Sequence, residues 1–295
     1  MLLSIILPCY NGADTIATQL DALANQCWFE PWEVIVVNNR STDRSMTIVE
    51  SYMDQVPNLR IVNAPARQGR SYARNVGVRA AIAEALLFCD ADDEVGEGWL
   101  VAMGEALAKH DFVACRMDFE KLNSPSLAKL FSVHPQRKEL MKTPFPPYLY
   151  MANGATLGVK RSLHEVIGGF DESWKRSQDS DYCCRLQGIG VKMHFVPNAV
   201  VHYRCRDKLS ALFPQSYNWA QYTVLLYKQY RSSEGASDWW KRYAWSNYAR
   251  EWLKIIKDWR GVFSEEDRVR LTWRVAWQLG LLVGSIKHRV PPVGW

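Results

Sequence analysis

Leu87-Phe88-Cys89-Asp90-Ala91-Asp92-Asp93 is an apolar run that ends in three carboxylates within four residues. Short apolar runs stopped by polar residues read as buried strands. Like charges gathered at the carboxyl end of a strand repel one another unless something offsets them. A divalent cation does so economically, because Mg²⁺, Mn²⁺ and Ca²⁺ take oxygen ligands. Mg²⁺ in particular is commonly held by one or two carboxylates together with substrate phosphates. A solvated acidic turn would show the same residues, so the neighbouring sequence has to decide.

Working outward, strand-like and helix-like segments alternate. Residues 2–7 read as a strand running into Pro8, followed by a turn at Tyr10-Asn11-Gly12. Ile16, Leu20 and Leu23 fall on one helical face within residues 15–25. Residues 33–37 form a β-branched strand, and the polar Asn38-Asn39-Arg40-Ser41-Thr42-Asp43 after it suits the cap of a helix over about 43–55. A strand over 59–62 and a helix over 69–85 lead into the strand that meets the carboxylates. Such alternation predicts an α/β protein with a mostly parallel, Rossmann-like sheet flanked by helices. Ligands of these sheets bind beyond the carboxyl ends of the strands. Pro8 and Tyr10, Asn38-Asn39, and Asp90-Ala91-Asp92 all follow strands and are therefore expected at one crevice.

Residues 121–150 carry Pro125, Pro135, Pro144, Pro146 and Pro147 and are the least regular part, either a loop over the crevice or a plain connection. Residues 153–159 resume strand character, and 163–167 make a short helix stopped by Gly168-Gly169. A helix over 182–187 comes after Gln178-Asp179-Ser180-Asp181, and strands are expected at 191–196 and 199–203. Everything from Leu209 to Pro291 reads as helical.

The 295 residues, 48% hydrophobic and 23% charged, suit a globular protein with a sizeable core. No apolar run approaches the roughly 18–20 residues of a membrane span, and the short apolar start lacks the basic region of a signal peptide. Seven scattered cysteines without a C-x₂-C pair point to free thiols and a cytoplasmic setting. Charge is uneven: residues 204–295 hold 16 Lys/Arg against 8 Asp/Glu and nine of the thirteen tryptophans, while the remainder holds 20 against 23.

The order of these motifs resembles the inverting glycosyltransferases of family 2, which have the GT-A fold. The matching stretches are residues 4–11, 36–43, Gly69 with 73–77, 88–93, 168–172 and 178–181. They run in the family's order over residues 1 to about 205. The resemblance implies a nucleotide-sugar-binding half (1–112), an acceptor-binding half (113–205) and an appended basic, Trp-rich helical region (206–295). It implies transfer of a sugar from a nucleoside-diphosphate sugar to an acceptor hydroxyl by single displacement, with Mn²⁺ or Mg²⁺.

Carried over residue by residue, the resemblance assigns Pro8 and Tyr10 to the base pocket, and Asn39 to a position where the family usually has a base-recognising Asp. An amide both donates and accepts, so recognition of a base by Asn39 survives, while the family's frequent uracil preference does not carry over. Arg70 and Arg74, with Arg67 just before them, offer guanidiniums for the diphosphate or ribose; a solvated helix face or an ion pair with Asp90 is the competing role. Asp90 would face the donor and Asp92 the metal, with Asp93 capping the turn after it. His202, 23 residues beyond Asp179, falls where many members place a further metal ligand. Asp179 is the expected general base; Asp181 is its competitor, an acceptor-side carboxylate or a helix-cap or structural one, and Trp174 is a stacking platform for an acceptor sugar or a core tryptophan. Gln178-Asp179 stands where Glu-Asp is common.

In the tail, Trp245, Tyr248, Trp252, Ile255, Ile256 and Trp259 recur at helical spacing between basic residues, and Trp273, Trp277 and Leu281 make a second stripe. Such helices either lie in a membrane interface or pack on protein. The expected partners are the donor, a hydroxyl acceptor (a glycan, a lipid-linked glycan or a small molecule) and an inner-membrane surface touched by 206–295, with no nucleic acid. The rival reading is a nucleotide-sugar-binding protein without turnover. No G-x-G-x-x-G comes after the first strand, which argues against a dinucleotide enzyme.

Overall fold

A computed structural model describes residues 2–261 and 264–294, without the side chain of Arg260. The chain divides into two compact units: Met1–Leu122 with Pro135–Met141 and Ala152–Arg204, and Asn123–His134 with Lys142–Met151 and Cys205–Trp295.

The first unit runs β1 (Leu3–Cys9), α1 (Ile16–Ala24), β2 (Trp32–Asn38), α2 (Ser45–Glu50), β3 (Leu59–Asn63), α3 (Arg70–Ala80), β4 (Ala85–Phe88), β5 (Glu94–Val95), α4 (Trp99–Lys109) and β6 (Phe112–Asp118). In the second unit the first element is α5 (Pro125–Leu130), and a two-stranded ribbon pairs β7 (Met141–Lys142) with β8 (Tyr150–Met151). The first unit resumes with β9 (Leu157–Lys160), α6 (Arg161–Val166), α7 (Gln178–Gly188) and β10 (His194–His202). The second closes with α8 (Leu209–Tyr230), α9 (Asp238–Asp258) and α10 (Glu265–His288).

Among the described residues, eight strands form one sheet in the order β3-β2-β1-β4-β9-β6-β10-β5. The pairs β1–β2, β1–β4, β2–β3 and β6–β10 are parallel, whereas β9 runs antiparallel to both β4 and β6, and β5 antiparallel to β10. The alternation of strand side chains divides the core in two. Leu3, Ile5, Leu7, Val34 and Val36 pack with α1 and α4 on one face, and Ile6, Ile35, Val37, Leu86 and Phe88 pack with α3 and α7 on the other.

The chain reverses its direction of winding about β1, which lies between β2 and β4. Pro8 marks where these strands part. The Ile6 carbonyl accepts from Cys89 on the β4 side, and Pro8, two residues on, faces the same way past the last β1–β4 pair. Its missing N–H therefore breaks no ladder bond, and a crevice opens there, as expected at a switch point.

Several boundaries differ from the sequence reading. The segment over 43–55 is helical only to Glu50 and continues as hydrogen-bonded turns to Val56. α3 stops at Ala80, where the Arg161 guanidinium donates to the Val78, Ala81 and Ala83 carbonyls and ends the helix. α7 starts at Gln178, four residues early, because polar residues fill its first turn. The two strands expected around 191–203 are one, β10, with an irregularity between Val196 and Val200. Within the Pro-rich stretch, Pro125 occupies the start of α5, where its fixed φ favours a helix.

In the second unit, α8 and α10 pack closely: a Cβ on Gly280 would land on the Tyr217 carbonyl, and one on Gly284 would sit 3.1 Å from Gln221 Cα. The Trp273, Trp277 and Leu281 stripe faces inward, with Trp273 ring-stacked edge-on against Phe131 and Trp219. Ser264 and Asp267 form a reciprocal capping box at the start of α10. Among the described residues, no helix is long and apolar enough to cross a membrane.

Candidate active site

The loops after β1 and β2 are laced together at the crevice. Asn11 accepts from the Thr42 N–H at 2.8 Å, and the Gly12 and Ala13 N–H groups donate to Ser45 Oγ and Asp43 at 2.8 and 3.0 Å. Tyr10 stands on this tip and is 51% exposed, leaving its ring face open. Asn39 is buried beneath it. Its amide nitrogen donates to the Ala64 and Arg67 carbonyls at 3.1 and 2.8 Å, and its oxygen accepts from the Gly69 N–H at 2.7 Å. Both of its N–H bonds are thus occupied by backbone. Asn39 anchors the loop over 64–69, and the donor that the sequence reading offered to a nucleobase is already engaged.

Beyond β4, a carboxylate oxygen from each of Asp90, Asp92 and Asp93 lies within 4.8 Å of the others. Asp93, expected only to cap the following turn, therefore belongs to the cluster. Burial pushes its carboxyl well above the usual range, helped by the charges of Asp92 and Asp90. Arg204 fixes this end: its N–H donates to Asp93 and its Nε to the Asp92 carbonyl, both at 2.9 Å. Asp90 behaves oppositely. Burial would raise it, but Arg74 and then Arg70 outweigh that and hold it below the usual carboxylate range. The Arg74 Nη2 lies 2.7 Å from Asp90 Oδ1, with the arginine 1% exposed. Arg70 sits near enough for Asp90 above all, then Asp92, to push its pKa still higher.

These oxygens suit a hard divalent cation. The fit has a direct mark in the structure: Asp93 Oδ2 is buried and lacks a hydrogen-bond partner among the described residues, a cost normally removed by an ion or water. His202 stays outside this group. Its Nδ1 is 3.0 Å from Asp118 Oδ1, opposite it across the β6–β10 pair, and no set of ligand atoms among the described residues joins it to the aspartates. Pairing with Asp118 is its role in this conformation.

The loop before β9 brings in Asp179. Its Oδ2 accepts from the Gly154 N–H and its Oδ1 from the Ser180 N–H, both at 2.9 Å. Gly154 also abuts the Arg74 guanidinium, so closely that a Cβ there would stand 2.5 Å from Nη1. Arg74 therefore touches Asp90 on one side and the residue that orients Asp179 on the other. Gln136, fully buried, holds this loop by accepting from the Asn153 N–H at 2.9 Å and donating to the Cys115 carbonyl and Thr156 Oγ1. Asp181 points elsewhere: it is fully buried and pairs with Arg185 Nε at 2.8 Å, one turn along α7. Trp174 is 6% exposed, which takes away the open face that an acceptor sugar would stack on. Arg67 leaves the crevice and pairs with Glu172, which also accepts from Asn75 at 2.8 Å.

The model of the family described as "Glycosyl transferase family 2" matches residues 4–167, more than half of the chain. The chain belongs to glycosyl transferase family 2. A stretch of 93 residues is 40% identical to the uncharacterized glycosyltransferase YibD of Escherichia coli, covering 32% of this chain and 26% of YibD, so the chain aligns with about a quarter of that relative. Among solved structures, it is similar to the mannosyltransferase PcManGT from Pyrobaculum calidifontis in complex with GDP-Man and Mn²⁺ (TM-score 0.64, 20% identity, 97% of this chain and 86% of that one). It is also similar to S. aureus TarS 1–349 in complex with UDP-GlcNAc (TM-score 0.58, 17% identity, 98% and 93%). These likenesses establish the GT-A fold.

Within this family member, Arg204 and Gly154 contact the candidate site residues, and the sequence reading passed over both. Gly154 had a signal, since Asn153 before it caps the short 3₁₀ turn by accepting from the Ala155 N–H. Arg204 had none, because its contacts are to a segment 111 residues earlier.

Proposed function

We propose that this protein is an inverting glycosyltransferase that moves a sugar from a nucleoside-diphosphate sugar to an acceptor hydroxyl, with Asp179 as general base. The observation that carries the reading is the chain of contacts from the three aspartates through Arg74 and Gly154 to Asp179. It joins a candidate cation site to one oriented carboxylate. Residues 1–112 are assigned to the donor and 113–205 to the acceptor.

Asp92, with Asp93 and Asp90, would hold Mn²⁺ or Mg²⁺. When bound, the ion supplies Lewis-acid neutralisation of the departing diphosphate. Arg70 adds fixed positive charge at the same place, and Arg74 orients Asp90 toward the donor. Asp179 is held by two backbone N–H groups, which leaves a lone pair on each oxygen for the acceptor's proton. Tyr10 offers its ring to the base. His202 is proposed as an auxiliary ligand only if its bond to Asp118 is exchanged for one to the ion. The acceptor is a hydroxyl of a glycan, a lipid-linked glycan or a small molecule; a cytoplasmic setting and contact of residues 206–295 with an inner-membrane surface complete the reading.

The test is metal-dependent hydrolysis and transfer with UDP- and GDP-sugars, after a thermal-shift screen of nucleoside diphosphates with Mn²⁺. Asp92→Ala is expected to abolish the metal-dependent hydrolysis, and Asp179→Asn to keep donor binding while losing transfer by at least about 100-fold. Full transfer by Asp179→Asn would remove the base assignment. Donor binding with no turnover by the intact protein would make it a binding protein instead.

A further inference from the structure

The outer face of α9 lies outside the residues assigned above to sugar transfer. This helix of 21 residues buries only Trp240, Ala244 and Ile255. Exposed apolar side chains stand towards its two ends, Trp239 and Tyr243 near the start and Leu253 and Ile256 near the finish, with Ser246, Asn247 and Arg250 between them; Trp239, Leu253 and Ile256 are 62, 66 and 64% exposed. At 1.5 Å per residue they span about 26 Å. Exposure of four large apolar side chains on one helix marks an interaction face.

Charge says what covers it. The acidic residues Glu251 and Asp258 turn toward Arg274 of α10, at 3.7 and 2.6 Å. Arg242, Arg250 and Lys257 stand among or beside these apolar side chains with no carboxylate in ion-pair contact among the described residues, and Arg250 donates to Ser246 Oγ, at 3.2 Å. Asp238, exposed in the first turn of the helix, is the exception and pairs with Lys241 at 2.8 Å; beyond it the apolar side chains are flanked by basic residues. A second copy of this chain would bring like charges together across this face, and a partner helix would have to bury them. At a bilayer surface the long side chains reach the phosphates while Trp, Tyr, Leu and Ile sit between headgroups and acyl chains. With no helix among the described residues able to span, the contact is lateral.

We propose that α9 lies on an anionic lipid bilayer, with Trp239, Tyr243, Leu253 and Ile256 in the interface and Arg242, Arg250 and Lys257 on the lipid phosphates. This rests on and deepens the membrane part of the proposed function, yet it needs no sugar transfer, so the two fail separately.

The test is flotation of the full chain with vesicles of phosphatidylcholine alone or mixed with phosphatidylglycerol. The protein should float with the mixed vesicles only, and be released at about 1 M salt, where the Debye length falls to about 3 Å. Arg250→Gln with Lys257→Gln should lower partition about 25-fold, about fivefold per charge. Leu253→Ser with Ile256→Ser should lower it by at least about tenfold, with the thermal transition and donor hydrolysis unchanged because both side chains are exposed and far from the aspartates in the sequence. Failure to float with anionic vesicles overturns the proposal, as does flotation that neither pair of substitutions alters. A dimer in light scattering that Leu253→Ser with Ile256→Ser turns into monomer also overturns it, since the face would then bind a second copy.

Discussion

Gly154→Ala tests the link between the aspartate cluster and Asp179 with a single methyl group. The new Cβ would stand 2.5 Å from Arg74 Nη1 and 2.8 Å from its Cζ and Nη2. Gly154 is not among the residues with positive φ, so alanine adds no backbone strain and the whole effect is steric. Arg74 has nowhere to go: it is 1% exposed, its Nη2 is held by Asp90 at 2.7 Å, and its Cζ lies 5.3 Å from the Phe170 ring centre. If the loop yields, overpacking costs about 1–3 kcal/mol. If the guanidinium yields, a buried pair opens, at about 3–5 kcal/mol. Whichever is softer decides, so urea unfolding should report a loss of about 1–3 kcal/mol. A shift of the Gly154 N–H would also misplace Asp179, and transfer should fall about 100-fold, since displacements near 1 Å have that effect. Arg74→Lys removes the clashing fork, so the double variant should lose less than the sum of the two, with a coupling of about 0.5–3 kcal/mol. Wild-type stability and activity in Gly154→Ala would refute the reasoning.

Asp181→Asn should behave as a stability variant, losing about 3 kcal/mol in unfolding because it leaves Arg185 without its charge partner. Once folded at low temperature it should retain transfer, in contrast to Asp179→Asn. His164, 3.0 Å from the Tyr182 hydroxyl, has its pKa lowered to about 4 by burial, with Arg185 adding to it. Because the folded pKa lies below the unfolded value of about 6.5, its contribution is full above pH 6.5 and is lost as the pH falls toward 4, at about 1.4 kcal/mol per unit. Unfolding curves of wild type and His164→Gln should therefore converge over that window as the pH drops; parallel curves would show that His164 is not buried neutral. Gly280→Val should force α8 and α10 apart at Tyr217 and Ala220 and destabilise the helical unit by at least about 1–3 kcal/mol, read as faster proteolysis within α8 and α10.

Legibility in the chain divides by range. The run of strands and helices up to Asp93 is written in local periodicity, so the order of elements and the meeting of Tyr10, Asn39 and Asp90 at one sheet edge were legible. The partner of each polar side chain was not, because partners come from distant segments. Asn39 looked available to a ligand until Ala64, Arg67 and Gly69 were seen to occupy it. His202 looked like a metal ligand, yet Asp118, 84 residues earlier, holds it. The antiparallel insertion of β9 between β4 and β6 left no local mark either, and it has a functional consequence. By placing β9 beside the strand that ends in the aspartates, it brings the preceding turn, with Gly154, against Arg74. One reversed strand thus brings Asp179 up to the cluster of Asp90, Asp92 and Asp93, and the candidate site depends on topology as much as on the D-x-D residues themselves.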